Sequence, residues 1–138
     1  MKKVTPNLAV RDIAATVAFY RDVLSFRLTM AVPETQDGID TVLDNTKRYI
    51  YAVITNGEAS LMLQHIESLK EDIGPFFEPP TGMSGTLYFE TGDAAAFYET
   101  VKERSEIIKP LKTTWYGMTE FYLRDCNGYI LGFASAAK

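Results

Sequence analysis

The sequence predicts an α+β fold of two tandem βαβββ modules, forming a curled mixed sheet around a cavity with the helices on the outer face. Three observations carry that prediction. Two hairpin turns contain Asn-Gly, at Asn56-Gly57 and Asn127-Gly128. Two aspartates, Asp12 and Asp93, stand where each would cap an amphipathic helix. The order strand, capped helix, strand, hairpin runs once from Val4 to His65 and again from Thr86 to Ala134, an internal duplication. Neither half has enough surface to close a core alone, so the two sheets are expected to curl against each other.

Val4 to Val10 (VTPNLAV) reads as a short strand, and Pro6 places it at an edge or pairing on one side only. Asp12 caps a helix whose Ile13, Val17, Tyr20 and Leu24 share one face, so this helix lies on a sheet. Ser25 to Pro33 alternates Phe26, Leu28 and Met30 as a second strand. Glu34 to Lys47 is polar and reads as a loop, long enough to be a mobile cover. Tyr49 to Thr55 and Glu58 to His65 flank Asn56-Gly57. A two-residue type I′ turn there pairs Ala52 with Leu61 and Ile50 with Leu63 on an apolar face, and Tyr49 with Gln64 and Tyr51 with Met62 on the other.

Ser68 to Pro80 reads as a linker: a short helical turn, Gly74-Pro75, two phenylalanines and Pro79-Pro80. Residues 1–66 and 84–138 are then the two modules, joined by 67–83. Thr86 to Thr91 is a strand with Leu87 and Phe89 on one side and Thr86, Tyr88 and Glu90 on the other. Asp93 caps the second helix, with Ala94, Phe97 and Val101 on one face. Glu106 to Leu111 is a sixth strand, and Thr113 to Gly117 leads into the last hairpin.

That hairpin, Tyr116 to Ala134, holds the sharpest local signal. Asn127-Gly128 fits a two-residue type I′ turn, and Asp125 with Gly128 equally fits a type I turn with a glycine bulge. Register decides. The two-residue loop mixes polar and apolar residues on each face. The bulged loop pairs Leu123 with Leu131 and Phe121 with Phe133 on one face, and Tyr122 with Gly132 and Glu120 with Ala134 on the other. A one-residue slip flips every side chain, so the separated pattern is favoured. One face is core; the other reads as the wall of a ligand cavity.

Bulk properties set limits. A chain of 138 residues is one domain by length, or two small modules sharing a core, and 46% apolar residues are ordinary for a soluble globular protein. A net charge of −4 with no basic stripe argues against nucleic acid as a partner. No apolar h-region or membrane-length run occurs, so a cytoplasmic protein with no membrane partner is expected. Cys126 is the only cysteine, which excludes an intrachain disulfide and a cysteine-rich zinc site; in the hairpin turn it reads as an exposed, unactivated thiol.

The opening TPNLAVRDIAATVAFYRDVLSF and the closing YGMTEFYLRDCNGYILGF resemble the vicinal-oxygen-chelate superfamily of glyoxalase I, bleomycin-resistance proteins and extradiol dioxygenases. The resemblance covers essentially the whole chain and implies paired βαβββ modules. It also implies, for the enzymes of that superfamily, a divalent metal held by one residue from each of four strands. Counting from the capping aspartates and the hairpin turns puts Thr5, Met62, Thr86 and Gly132 at those positions. Two hydroxyls, a thioether and no side chain cannot hold Zn²⁺, Ni²⁺ or Fe²⁺. No metal or other cofactor is therefore expected. A weak oxygen-rich site displaced to Asn7, Gln64, Tyr88 and Glu90 is the alternative. His65, the only histidine, has the parity of Leu61 and Leu63 and points to the apolar side or the strand end.

The cavity-facing positions are Thr5, Asn7, Tyr49, Tyr51, Met62, Gln64, Thr86, Tyr88, Glu90, Glu120 and Tyr122, with Trp115 and Tyr116 entering from a loop. Aromatic walls with scattered polar tips suit an organic ligand of moderate size, although tyrosines also simply fill concave sheet faces. An inward Glu90 or Glu120 is costly unless paired, by a cationic ligand or internally by Arg124 or a lysine. Three function classes follow. One is metal-free sequestration of a small organic molecule, cationic or aromatic, as the resemblance to bleomycin-resistance proteins implies. Another is a metal-dependent lyase or dioxygenase with displaced ligands. The third is a metal-free enzyme with Glu90 or Glu120 as general base. The resemblance implies a homodimer, since related proteins frequently form one, and Phe76 and Phe77, if exposed, offer a contact patch for it.

Overall fold

Asp12 and Asp93 both take extended backbone and accept the amide three residues on, Ala15 at 2.9 Å and Ala96 at 3.0 Å, which starts a helix in each half of the chain. The computed structural model describes residues 1–74 and 85–138. The chain divides into two units, Met1–Thr81 and Gly82–Lys138. Among the described residues, no helix is long and apolar enough to cross a membrane. Phe76 and Phe77 lie outside the described residues.

The first unit runs β1 (Asn7–Val10), α1 (Ile13–Asp22), β2 (Arg27–Pro33), β3 (Tyr49–Asn56), β4 (Ala59–His65) and α2 (Ile66–Ile73). Its sheet has the order β1-β4-β3-β2, with β1 parallel to β4 and the other pairs antiparallel. β1 is an edge strand, as Pro6 suggested, and the Pro6 carbonyl accepts the Met62 amide at 2.8 Å. Ile13, Val17, Tyr20 and Leu24 are all buried against the face that carries Ala52, Ile54, Leu61 and Leu63. Burying each large side chain of this kind contributes roughly 1.5–3 kcal/mol.

The second unit repeats the plan with β5 (Leu87–Glu90), α3 (Ala94–Val101), β6 (Glu106–Thr113), β7 (Met118–Arg124) and β8 (Ile130–Ala136), in the sheet order β5-β8-β7-β6. β5 is parallel to β8. Under α3 the rings of Phe89, Phe97, Tyr98, Phe121 and Phe133 form a cluster with centroid separations of 5.0 to 6.0 Å, a range in which aromatic pairs add to the burial. The architecture is thus α+β, with two βαβββ repeats and two four-stranded mixed sheets.

Four expectations need correction or refinement. The first strand starts at Asn7, not Val4. The first hairpin pairs Asn56 with Ala59, Ile54 with Leu61, Ala52 with Leu63 and Tyr51 with Gln64, so its register is two residues from the expected one. Asn56 is the last paired residue, and its side-chain amide donates to the Leu24 carbonyl at 3.2 Å. Gly57, at φ 57, then opens the loop in the glycine-first pattern of a type II′ turn. A shift of two leaves every side chain on its expected face.

The segment read as a linker at Ser68 begins inside a two-turn helix, α2. The polar loop from Glu34 to Lys47 is tied down. Asp40 exchanges backbone hydrogen bonds with Ala31 at 2.8 Å, and its carboxylate accepts from Tyr49 Oη at 2.7 Å and Lys47 Nζ at 3.1 Å.

Candidate functional site

The last hairpin has the expected bulged register: Leu123 with Leu131, Phe121 with Phe133, Tyr122 with Gly132 and Glu120 with Ala134. Its three-residue loop closes with Asp125 N donating to Tyr129 O at 2.8 Å, and Gly128 sits at φ 93. Asp125 Oδ1 also accepts the amides of Asn127 and Tyr129. Cys126 is exposed in this loop. The β6–β7 connection uses the same device: Thr114 N donates to Met118 O at 2.7 Å, and Gly117 sits at φ 82. Thr113 to Gly117 is therefore a hairpin turn, which a glycine ending a three-residue loop signals. The turn puts Trp115 at the tip, 95% exposed, and Tyr116 beside it.

With α3 covering the phenylalanine face, the opposite face of this sheet carries two cross-strand rows. Tyr88, Gly132, Tyr122 and Lys109 form one; Glu90, Ala134, Glu120 and Lys112 form the other. Glu120 is buried, and its carboxylate is held from two sides. Tyr88 Oη donates to Oε2 at 2.8 Å and Tyr116 Oη donates to Oε1 at 2.5 Å. Tyr88 reaches across β8 because Gly132 and Ala134 present no long side chain there. Tyr122 covers Gly132 itself: a Cβ on that glycine would lie 2.6 Å from Tyr122 Cε1. Glu90 is exposed one pleat along β5.

The electrostatics follow from these contacts. The Tyr88 phenol is pushed up by burial and then by its bond to Glu120. Tyr116 is raised first by its bond to Glu120, and Tyr122 first by burial. All three phenols stay protonated near neutral pH and act as donors or apolar walls. Sequence reasoning offered a cationic ligand, Arg124 or a lysine as the partner of Glu120; the partners are two tyrosine hydroxyls, and Arg124 pairs with Glu106 at 3.2 Å. Beside Glu120 lies a cavity of about 480 Å³ lined by Lys109, Pro110, Leu111, Lys112, Thr114, Trp115, Tyr116, Glu120 and Tyr122. That volume lies in the range of small-molecule pockets.

The first unit gathers the other sequence-derived residues into a separate network. Asn7 Nδ2 donates to Gln64 Oε1 at 2.9 Å, and Gln64 Nε2 donates to Ser68 Oγ at 3.0 Å and Asp72 Oδ2 at 2.7 Å. Asn7 and Gln64 thus hold α2. Tyr49 holds the polar loop, accepting the Asp44 amide at 2.8 Å as well as donating to Asp40. Tyr51 is half-buried, and desolvation raises its phenol pKa. His65 stands at the strand end and caps α2, its Nδ1 accepting the Glu67 amide at 3.1 Å.

These residues do not fit a divalent metal. Among the described residues no group of three His, Cys, Asp or Glu side chains could hold one. Of the four positions implied by the resemblance, Thr5 and Thr86 offer only hydroxyls, Met62 only a thioether, and Gly132 lies beneath the Tyr122 ring. In the displaced set, Asn7 and Gln64 bond each other and Tyr88 bonds Glu120.

The chain matches the family model of the Glyoxalase/Bleomycin resistance protein/Dioxygenase superfamily over residues 4–133. No curated protein matches it. Among solved structures it is similar to a protein of unknown function from Agrobacterium tumefaciens str. C58, at 24% identity and a TM-score of 0.72, covering 97% of this chain and 93% of that one. It is similar to TioX from Micromonospora sp. ML1, at 16% identity and a TM-score of 0.66, covering 99% and 98%. A third likeness is to a glyoxalase/bleomycin resistance protein/dioxygenase family enzyme from Burkholderia phytofirmans PsJN, at 18% identity and a TM-score of 0.69, covering 94% of each chain. At these identities the structural likeness establishes the fold alone.

Proposed function

Since this chain belongs to the glyoxalase/bleomycin resistance protein/dioxygenase superfamily, we propose that it binds a small organic molecule without a metal, in the manner of antibiotic sequestration, on the face of its second sheet opposite α3. One observation carries this reading. Where the resemblance places a metal-binding glutamate there is Gly132 under the Tyr122 ring, and the neighbouring Glu120 is clasped by Tyr88 and Tyr116. The face is built as an aromatic wall with its one buried carboxylate already satisfied. Such a wall gains affinity by burying flat apolar surface, and few polar groups fix orientation.

The test has two parts. Metal analysis of protein purified without added metal is expected to give far less than one Ni, Zn or Fe per chain; a stoichiometric ion would favour a metal-dependent lyase or dioxygenase. A thermal-shift screen against aromatic antibiotics and metabolites is expected to return stabilising compounds whose effect is lost in Trp115→Ala and Tyr122→Ala. A flat response across the panel counts against sequestration.

A further inference from the structure

We infer that the ligand of the second-sheet face is an aromatic anion, a flat ring system carrying a carboxylate or a comparable single negative charge; this rests on reading that face as a small-molecule site. The cavity lining holds two cations, Lys109 and Lys112, and one acid, Glu120. Lys109 stands opposite Tyr122 across the strand pair and Lys112 stands opposite Glu120. Both Glu120 oxygens accept phenolic hydroxyls. Ion pairs among the described residues include those of Arg21, Lys47, Lys102 and Arg124. Lys109 and Lys112 are in no such pair, so the charge this lining offers an incoming molecule is positive.

A cationic ligand would approach two ammonium groups and find the carboxylate already satisfied by its own tyrosines. An anion meets ammonium groups that no acid pairs with among the described residues, while its ring lies against Trp115, Tyr116 and Tyr122. The protein's net charge of −4 opposes this, which makes the local reversal of sign informative. Both lysines are exposed, so their charge is screened by salt and each contributes only a fraction of a favourable pair. Two such contributions amount to about a tenfold gain in affinity.

Calorimetric titration of the full chain with three compounds of one shape separates the possibilities: naphthalene-2-carboxylate, naphthalene-2-carboxamide and trimethyl(2-naphthyl)ammonium. At low salt the carboxylate is expected to bind about tenfold more tightly than the other two. In Lys109→Gln/Lys112→Gln, and in wild type at about 1 M salt, that advantage should vanish while the carboxamide affinity stays unchanged. Equal binding of carboxylate and carboxamide, a preference for the ammonium compound, or a carboxylate preference that survives loss of both lysines overturns the inference and leaves the aromatic site standing. Binding of none of the three overturns the inference and the site together.

Discussion

Tyr122 lays its ring against the Cα of Gly132, so that a methyl group there would meet Cε1 at 2.6 Å and Cζ at 3.0 Å. The two residues are cross-strand partners between β7 and β8, and the glycine has ordinary strand geometry. The contact is one of space, not of backbone strain. Gly132→Ala must push the phenol off the sheet, and overpacking of this kind costs about 1–3 kcal/mol. Thermal denaturation should show a lower Tm for Gly132→Ala, and the double variant Gly132→Ala/Tyr122→Ala should recover most of the loss. Equal losses with and without the ring would mean that something other than Tyr122 fills the space.

Alkaline pH tests the tyrosines around Glu120. Tyr88 and Tyr122 are raised mainly by burial, and Tyr116 mainly by its bond to Glu120, above the ordinary phenol value of about 10. The folded protein therefore keeps phenolic protons that the unfolded chain gives up. This contribution to stability is complete below pH about 10 and is lost as pH rises through the folded values. Melting temperatures should be flat from about pH 7 to 9 and fall above about 10, with a shallower fall in Tyr88→Phe. Phenolate absorbance should show the same residue titrating late.

Asp40 gathers the polar loop. Tyr49 and then Lys47 hold its carboxyl below the usual carboxylate range, so the folded state binds its proton less readily than the unfolded chain. That contribution is present above pH about 4 and is lost as pH falls through the lowered value. Tyr49→Phe removes both the donor to Asp40 and the acceptor of the Asp44 amide. Faster hydrogen exchange at Asp44 is the expected result. Unchanged exchange there would show that the loop is held by its other bonds, such as those of Asp40 to Ala31 and Lys47, without the Tyr49 hydroxyl.

Ser25 turns the chain from α1 into β2 at φ 61, in the left-handed region that disfavours side chains. The Phe26 amide returns to the Tyr20 carbonyl at 2.9 Å, and this fixes the conformation. Ser25→Gly relieves the strain but adds freedom to the unfolded chain, for a net gain of about 0.5–1 kcal/mol. Chemical denaturation should register a higher midpoint with an unchanged slope.

What could be read in advance depended on what an error would have done to the pattern. The last hairpin was legible because a slip by one residue would have mixed Phe121 and Phe133 with Glu120 and Tyr122. The first was misplaced because a slip by two keeps Ala52, Ile54, Leu61 and Leu63 together, so the pattern of faces does not distinguish the registers. The face carrying Tyr88, Glu120 and Tyr122 was visible from alternation alone. That Glu120 would be clasped by tyrosines was not, because the reach of Tyr88 depends on the small residues of an intervening strand that is remote in sequence. Thr113 to Gly117 was read only as a lead-in loop, although Gly117 ending a three-residue loop signals the β6–β7 turn.

α2 was the hardest element to foresee, and it offers the sharpest test of the first unit. Ile66, Leu69 and Ile73 recur at helical spacing, but none of its residues is fully buried, and the side chain of one strand residue ties it to the sheet. Gln64 is buried, takes the Asn7 amide on its oxygen and gives its own amide to Ser68 and Asp72. Replacing it with leucine keeps the bulk but deprives Asp72 of its donor and Asn7 of its acceptor. Lost bonds of this kind, one of them to a charged group, are worth about 1–3 kcal/mol. Gln64→Leu should therefore unfold at lower denaturant, and amides of α2 should exchange faster while those of α1 do not. Ser68→Ala, which removes one neutral acceptor and leaves Asp72 in place, should cost about 1 kcal/mol or less. If α2 exchanges at the wild-type rate in Gln64→Leu, the helix is held by something other than this network.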